Sequence, residues 1–108
     1  MELLKQLCAI HAPSSEEFRV RDFIIEYVQN HAHEWKQKPE MYFGKGYHDT
    51  LLIKLGTPTH AFMAHMDSVG FMAGYNNELI PIGSPASNEG SIIRNEHDQE
   101  RNVYYDNH

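Results

Sequence analysis

His65 and Asp67 are the two residues whose type, spacing and surroundings point most directly to chemistry. They follow the apolar run Ala61-Phe62-Met63-Ala64 and precede Ser68-Val69-Gly70. A histidine at the exit of a buried strand is held by the sheet while its ring reaches the crevice at the strand end. Where one ring nitrogen holds a metal, an aspartate two residues on can hydrogen-bond the other ring nitrogen or a neighbouring ligand, and such a bond fixes the tautomer and raises ligand basicity. Taken without its surroundings, the His-x-Asp spacing is more often a strand-end histidine beside a solvated carboxylate.

The other candidates have plainer readings. His31 and His33 fall at a predicted helix end, where imidazolium suits the dipole. His48-Asp49 reads as turn or capping chemistry before a strand, His60 as an exposed residue starting a third strand, and His11 as part of a helix C-cap. Glu96-His97-Asp98-Gln99-Glu100, with Asp106 and His108, is rich in ligand-type side chains. Its spacing matches no metal motif, so a solvated loop is expected there. Cys8 lies in an apolar helical stripe and is expected to be buried as a small apolar residue. Ser14 and Ser15 lack a His-Asp partner pattern, and helix capping accounts for both.

Composition narrows the function classes. The chain has 108 residues, 41% of them hydrophobic, which suits one modest globular core. Nine basic residues stand against fifteen acidic ones, a formal charge of −6, which argues against a nucleic-acid-binding face. A single cysteine permits no internal disulfide and suits a reducing compartment. The first residues lack the basic and apolar regions of a signal peptide, and no apolar run is long enough to span a bilayer. A cytoplasmic protein with no membrane partner is the expectation.

Elements must position the candidate pair. Leu3, Leu4, Leu7 and Ile10 have helical spacing, ended by Pro13. Ser14-Ser15-Glu16-Glu17 has the spacing of a capping box and opens a second helix expected from about Ser15 to His31. Phe18, Val20, Phe23, Ile24, Tyr27, Val28 and Ala32 form its apolar stripe. Met41-Tyr42-Phe43, Thr50 to Leu55 and Ala61 to Ala64 read as strands, the last buried on both faces. Val69 to Tyr75 and Leu79 to Ile82, joined at Asn76-Asn77, read as a β-hairpin. Beyond Gly83 the pattern fades, with Ser91 to Arg94 as one more strand candidate and Asn95 to Asn102 without periodicity. The order predicts an α/β arrangement of helices on a sheet, with a β-rich, helix-free module from Val69.

Three stretches together resemble a known family. Leu3-Leu4 to Ile10, Ala12-Pro13-Ser14-Ser15-Glu16-Glu17 and Val20-Arg21-Asp22-Phe23-Ile24 are similar to the opening of the co-catalytic zinc aminopeptidases. The branch they resemble is that of the glutamyl and tetrahedral aminopeptidases, some labelled endoglucanases. Ala64-His65-Met66-Asp67-Ser68-Val69-Gly70-Phe71-Met72 and Leu79-Ile80-Pro81-Ile82-Gly83 continue the likeness in order. Ser68 stands where that branch has Glu, and His48-Asp49 where it has Gly-Asn or Asp-Asn.

The resemblance implies the N-terminal part of a three-layer α/β/α peptidase domain with helices on a mixed sheet. Residues 1–68 would belong to that domain, and residues 69–108 would begin an inserted, incomplete β domain. It implies hydrolysis of N-terminal peptide bonds of a peptide substrate by a metal-activated water. Two divalent metals complete such a site, commonly zinc, with cobalt or manganese in its place. His65 would be a metal ligand and Asp67 would orient a ligand without binding metal. The remaining ligands and the general base would lie past residue 108, leaving the isolated chain inactive. Such enzymes associate through the inserted domain, so homo-oligomers are an expected partner state. The alternative is a non-catalytic binding or assembly domain of the same ancestry, complete at residue 108.

Overall fold

The computed structural model describes residues 1–105. Asp106 and His108 lie outside the described residues. The chain divides into two compact units, Met1–Asp67 and Ser68–His108.

The first unit is built around one helix and one hairpin. Helix α1 spans Glu2–Cys8 and α2 spans Phe18–His31. In α2 the apolar residues recur every three or four positions, so one stripe turns inward. Val20 and Val28 are buried, with Val28 only 3% exposed, and Phe23, Ile24 and Tyr27 are half-buried beside them. The helix ends where the His31 ring turns back on it. His31 Nδ1 lies 2.7 Å from the Tyr27 carbonyl oxygen, and the two rings stack with centroids 4.0 Å apart. A 3₁₀ turn at Ala32–Glu34 follows, and Trp35 is already extended.

Strands β1 (Pro39–Gly44) and β2 (His48–Leu55) pair antiparallel, with Met41 opposite Ile53 and Gly44 opposite His48. Pro39 opens its strand, a position that tolerates its missing N–H. Gly44 and Gly46 take positive φ and close the turn. Alternation along β2 half-buries Asp49, Leu51 and Ile53 and exposes His48, Thr50 and Leu52. Helix α2 packs against β2.

The second unit holds two hairpins. β3 (Gly70–Ala73) pairs with β4 (Leu79–Ile82), with Gly70 opposite Ile82. Their connection turns at Asn76 and Asn77, both at positive φ, a conformation asparagine tolerates. β5 (Ile92–Arg94) pairs with β6 (Glu100–Asn102), and Val103 is buried behind them.

The protein therefore combines helices with small antiparallel sheets, three two-stranded pairs among the described residues. Several expectations are corrected. Ala61 to Ala64 is not a buried strand: the stretch carries no regular structure, and Phe62 and Met63 are each 97% exposed. A strand buried on both faces needs paired neighbours along both edges, and none pairs with this stretch among the described residues. Cys8 is exposed, because α1 buries none of its residues. Asn95 to Asn102 is a hairpin turn and a strand. Asn95 Oδ1 accepts the N–H groups of His97 and Gln99, both at 2.9 Å, and Arg94 pairs with Glu100 at 2.9 Å. Side-chain chemistry at Asn95 supplies what the missing apolar pattern does not.

Candidate functional site

The connector between α1 and α2 sets one wall of the site. Glu16 N–H donates to the Pro13 carbonyl at 2.9 Å, closing a turn over Ser14 and Ser15. Ser15 sits at φ 79°, a conformation that turns of this kind usually assign to glycine. The expected capping box does not form. Glu17 is the N-cap residue of α2 and makes no side-chain cap bond, while its Oε1 accepts the Ser15 N–H at 2.9 Å. His11 also departs from its expected C-cap role, with Nε2 2.9 Å from Glu16 Oε2.

Freed from capping, the Ser14 hydroxyl donates to Asp67 Oδ2 at 2.8 Å. Asp67 in turn faces His65, whose Nδ1 lies 2.9 Å from the Asp67 main-chain oxygen and 3.3 Å from its Oδ1. Both neighbours of Nδ1 are acceptors, so in the neutral ring they favour the proton on Nδ1 and the lone pair on Nε2. The His65 side chain is 86% exposed, so the lone pair opens to solvent. The Ser14 hydrogen bond, more than any other contact, holds the Asp67 carboxyl below its ordinary pKa of 3.8. Burial opposes the shift, and the nearby His65 adds to it.

Arg21 fixes the opposite wall. It projects from α2 with its side chain 18% exposed. Its Nη1 lies 3.3 Å from Asp49 Oδ1 and 3.4 Å from the His48 carbonyl oxygen. Its Nε donates to Asp22 Oδ1 at 2.9 Å. Asp49 meets Arg21 because alternation puts it on the same face of β2 as Leu51 and Ile53, the face that α2 covers. Between these walls runs an open crevice of about 440 Å³, lined in part by Glu17, His48, Asp49, Leu51, His65 and Asp67.

The structure thus brings His65 and Asp67 together and adds Ser14, which sequence reasoning assigned to capping. Nothing local marks that role, since the serine and its acceptor are 53 positions apart. His60 is exposed and lies 2.9 Å from the Thr59 hydroxyl, away from any strand. His48 and Asp49 form the start of β2.

The donor set fits part of a metal site. His65 Nε2 is available as a ligand, with its ring oriented by Asp67 as metal-bound histidines are. Among the described residues no group of three His, Cys, Asp or Glu side chains is placed to hold an ion. A catalytic zinc takes three protein ligands and a water. No described helix is long and apolar enough to cross a membrane. No protein-family model matches the chain, and no curated protein matches it.

Proposed function

We propose that this chain is the N-terminal portion of a metal-dependent aminopeptidase, acting in the cytoplasm on the N-terminal bonds of peptides. In the complete enzyme, residues 1–68 contribute to a three-layer α/β/α catalytic domain and residues 69–108 begin an inserted β domain. The reading rests on the ordered motifs and is carried by one observation: His65 Nδ1 lies 2.9 Å from the Asp67 main-chain oxygen and 3.3 Å from its Oδ1, on a side chain that is 86% exposed. A bound divalent metal, zinc in the first instance, polarises a carbonyl and lowers the pKa of its water. The residues of this chain hold and orient. Asp67 sets the tautomer and direction of His65, and Asp67 stays ionised at neutral pH, so the orienting acceptor keeps its charge. The other ligands and the general base come from outside the described residues.

The test is hydrolysis of amino-acid p-nitroanilides by the protein as its gene encodes it, with zinc, cobalt and manganese in turn, beside His65→Ala. The expected result is metal-dependent turnover that the substitution abolishes. Turnover that survives His65→Ala, or none with any metal, overturns the reading. A second reading, a non-catalytic assembly domain, draws on the exposed Phe62 and Met63 beside the pair. Concentration-dependent association in sedimentation, together with no turnover, would select it.

A further inference from the structure

We infer that Ser14 is a positioning residue for His65, acting through Asp67. This rests on the reading of His65 as a ligand only for its consequence, since the geometry stands without a metal. The two oxygens of the Asp67 carboxylate have different partners: Oδ2 accepts from the Ser14 hydroxyl at 2.8 Å, and Oδ1 lies 3.3 Å from His65 Nδ1. The terminal torsion of an aspartate is broad and roughly two-fold, so one contact leaves the carboxylate free to swing. A second contact from the far oxygen confines the swing. Ser14 supplies it from the turn between α1 and α2, where the Glu16-to-Pro13 hydrogen bond holds the backbone.

The arrangement also biases the order of the chain. His65 lies in residues 61–67, a stretch that carries no regular structure. The Ser14–Asp67 bond ties the Asp67 carboxylate to the turn between α1 and α2. Nδ1 then meets both the carboxylate and the main-chain oxygen of Asp67, and the Nδ1–H tautomer is favoured. Free imidazole side chains in water favour the other tautomer, so the population of Nδ1–H reports directly on the positioning.

The test is the tautomer of His65, read from ¹⁵N and ¹³C ring shifts of the metal-free chain at pH about 8, above the usual histidine titration. Wild type, Ser14→Ala and Ser14→Thr are compared, with β1–β2 amide shifts as the control for folding. The expected result is a fall in Nδ1–H population in Ser14→Ala and its retention in Ser14→Thr. An unchanged population in Ser14→Ala, or an equal fall in both variants, overturns the inference. Should Ser14→Ala lose the hairpin shifts, Ser14→Thr against Ser14→Val repeats the comparison, the two being alike in shape and differing in the hydroxyl. Zinc is then added to the same variants of the protein as its gene encodes it, which on this reading supplies the remaining ligands. Failure of zinc to move the His65 signals removes the metal reading and leaves the Ser14 result standing, and the converse pattern removes Ser14 alone.

Discussion

Leu51-Leu52-Ile53 and Ala61-Phe62-Met63-Ala64 are apolar runs of similar length, ten residues apart, with opposite fates. The first lies in β2, paired with β1 and covered on one face by α2, so Leu51 and Ile53 are half-buried. The second has no paired neighbour among the described residues, and Phe62 and Met63 stand in solvent. Hydrophobicity alone does not make a strand. A strand forms where its N–H and C=O groups find a ladder and its side chains find a surface, and β1 and α2 supply both to β2.

The difference can be broken or sharpened by substitution. The largest effect is expected at the buried end of the comparison. Val28→Ala removes two carbons from the buried face of α2 and should cost about 2 kcal/mol in denaturant unfolding. Arg21→Ala removes the bonds that tie α2 to Asp49 and to the His48 carbonyl. It should cost about 1–2 kcal/mol and speed amide exchange at the start of β2. Ser15→Gly works in the other direction. The positive φ of Ser15 is unfavourable for any residue with a Cβ, and glycine should raise stability by about 0.5–1 kcal/mol in the same unfolding experiment.

A smaller effect is expected in acid. The lowered pKa of Asp67 means that its contact with Ser14 contributes stability above the ordinary carboxylate range. That contribution is lost as pH falls through the depressed folded-state value. Unfolding of wild type and Ser14→Ala should therefore differ near neutrality and converge at low pH. A constant difference would show that the hydrogen bond is not linked to ionisation. The smallest effect belongs to the exposed run. Phe62→Ala should change stability by no more than about 0.5 kcal/mol, against the cost at Val28. A large loss at Phe62 would show that the run is covered in solution.

What the sequence disclosed follows from how local each feature is. α2 is legible because Val20, Phe23, Tyr27 and Val28 repeat at the helical period, and the hairpins because Gly44, Gly46, Asn76 and Asn77 suit positive φ. β6 is not, since Glu100, Arg101 and Asn102 are all exposed and pair with β5 through the backbone. Cys8 misleads because apolar spacing in α1 meets no surface that buries it. Of the candidate pair, the spacing of His65 and Asp67 was visible, being two residues apart. Ser14 was visible only as a local cap, because its acceptor enters from the far end of the first unit. The exposure of His65 depends on whether the preceding run finds a ladder, which no local pattern encodes.

The unpaired stretch has one more consequence. Proteases bind their substrates as extended strands, and an exposed chain between Gly56 and His65 presents Phe62 and Met63 to such a cleft with no backbone ladder to open first. Cleavage after Phe62 would leave α2 and the β1–β2 hairpin in one fragment. It would place His65 and Asp67 in the other, severing the histidine from the serine that steadies it.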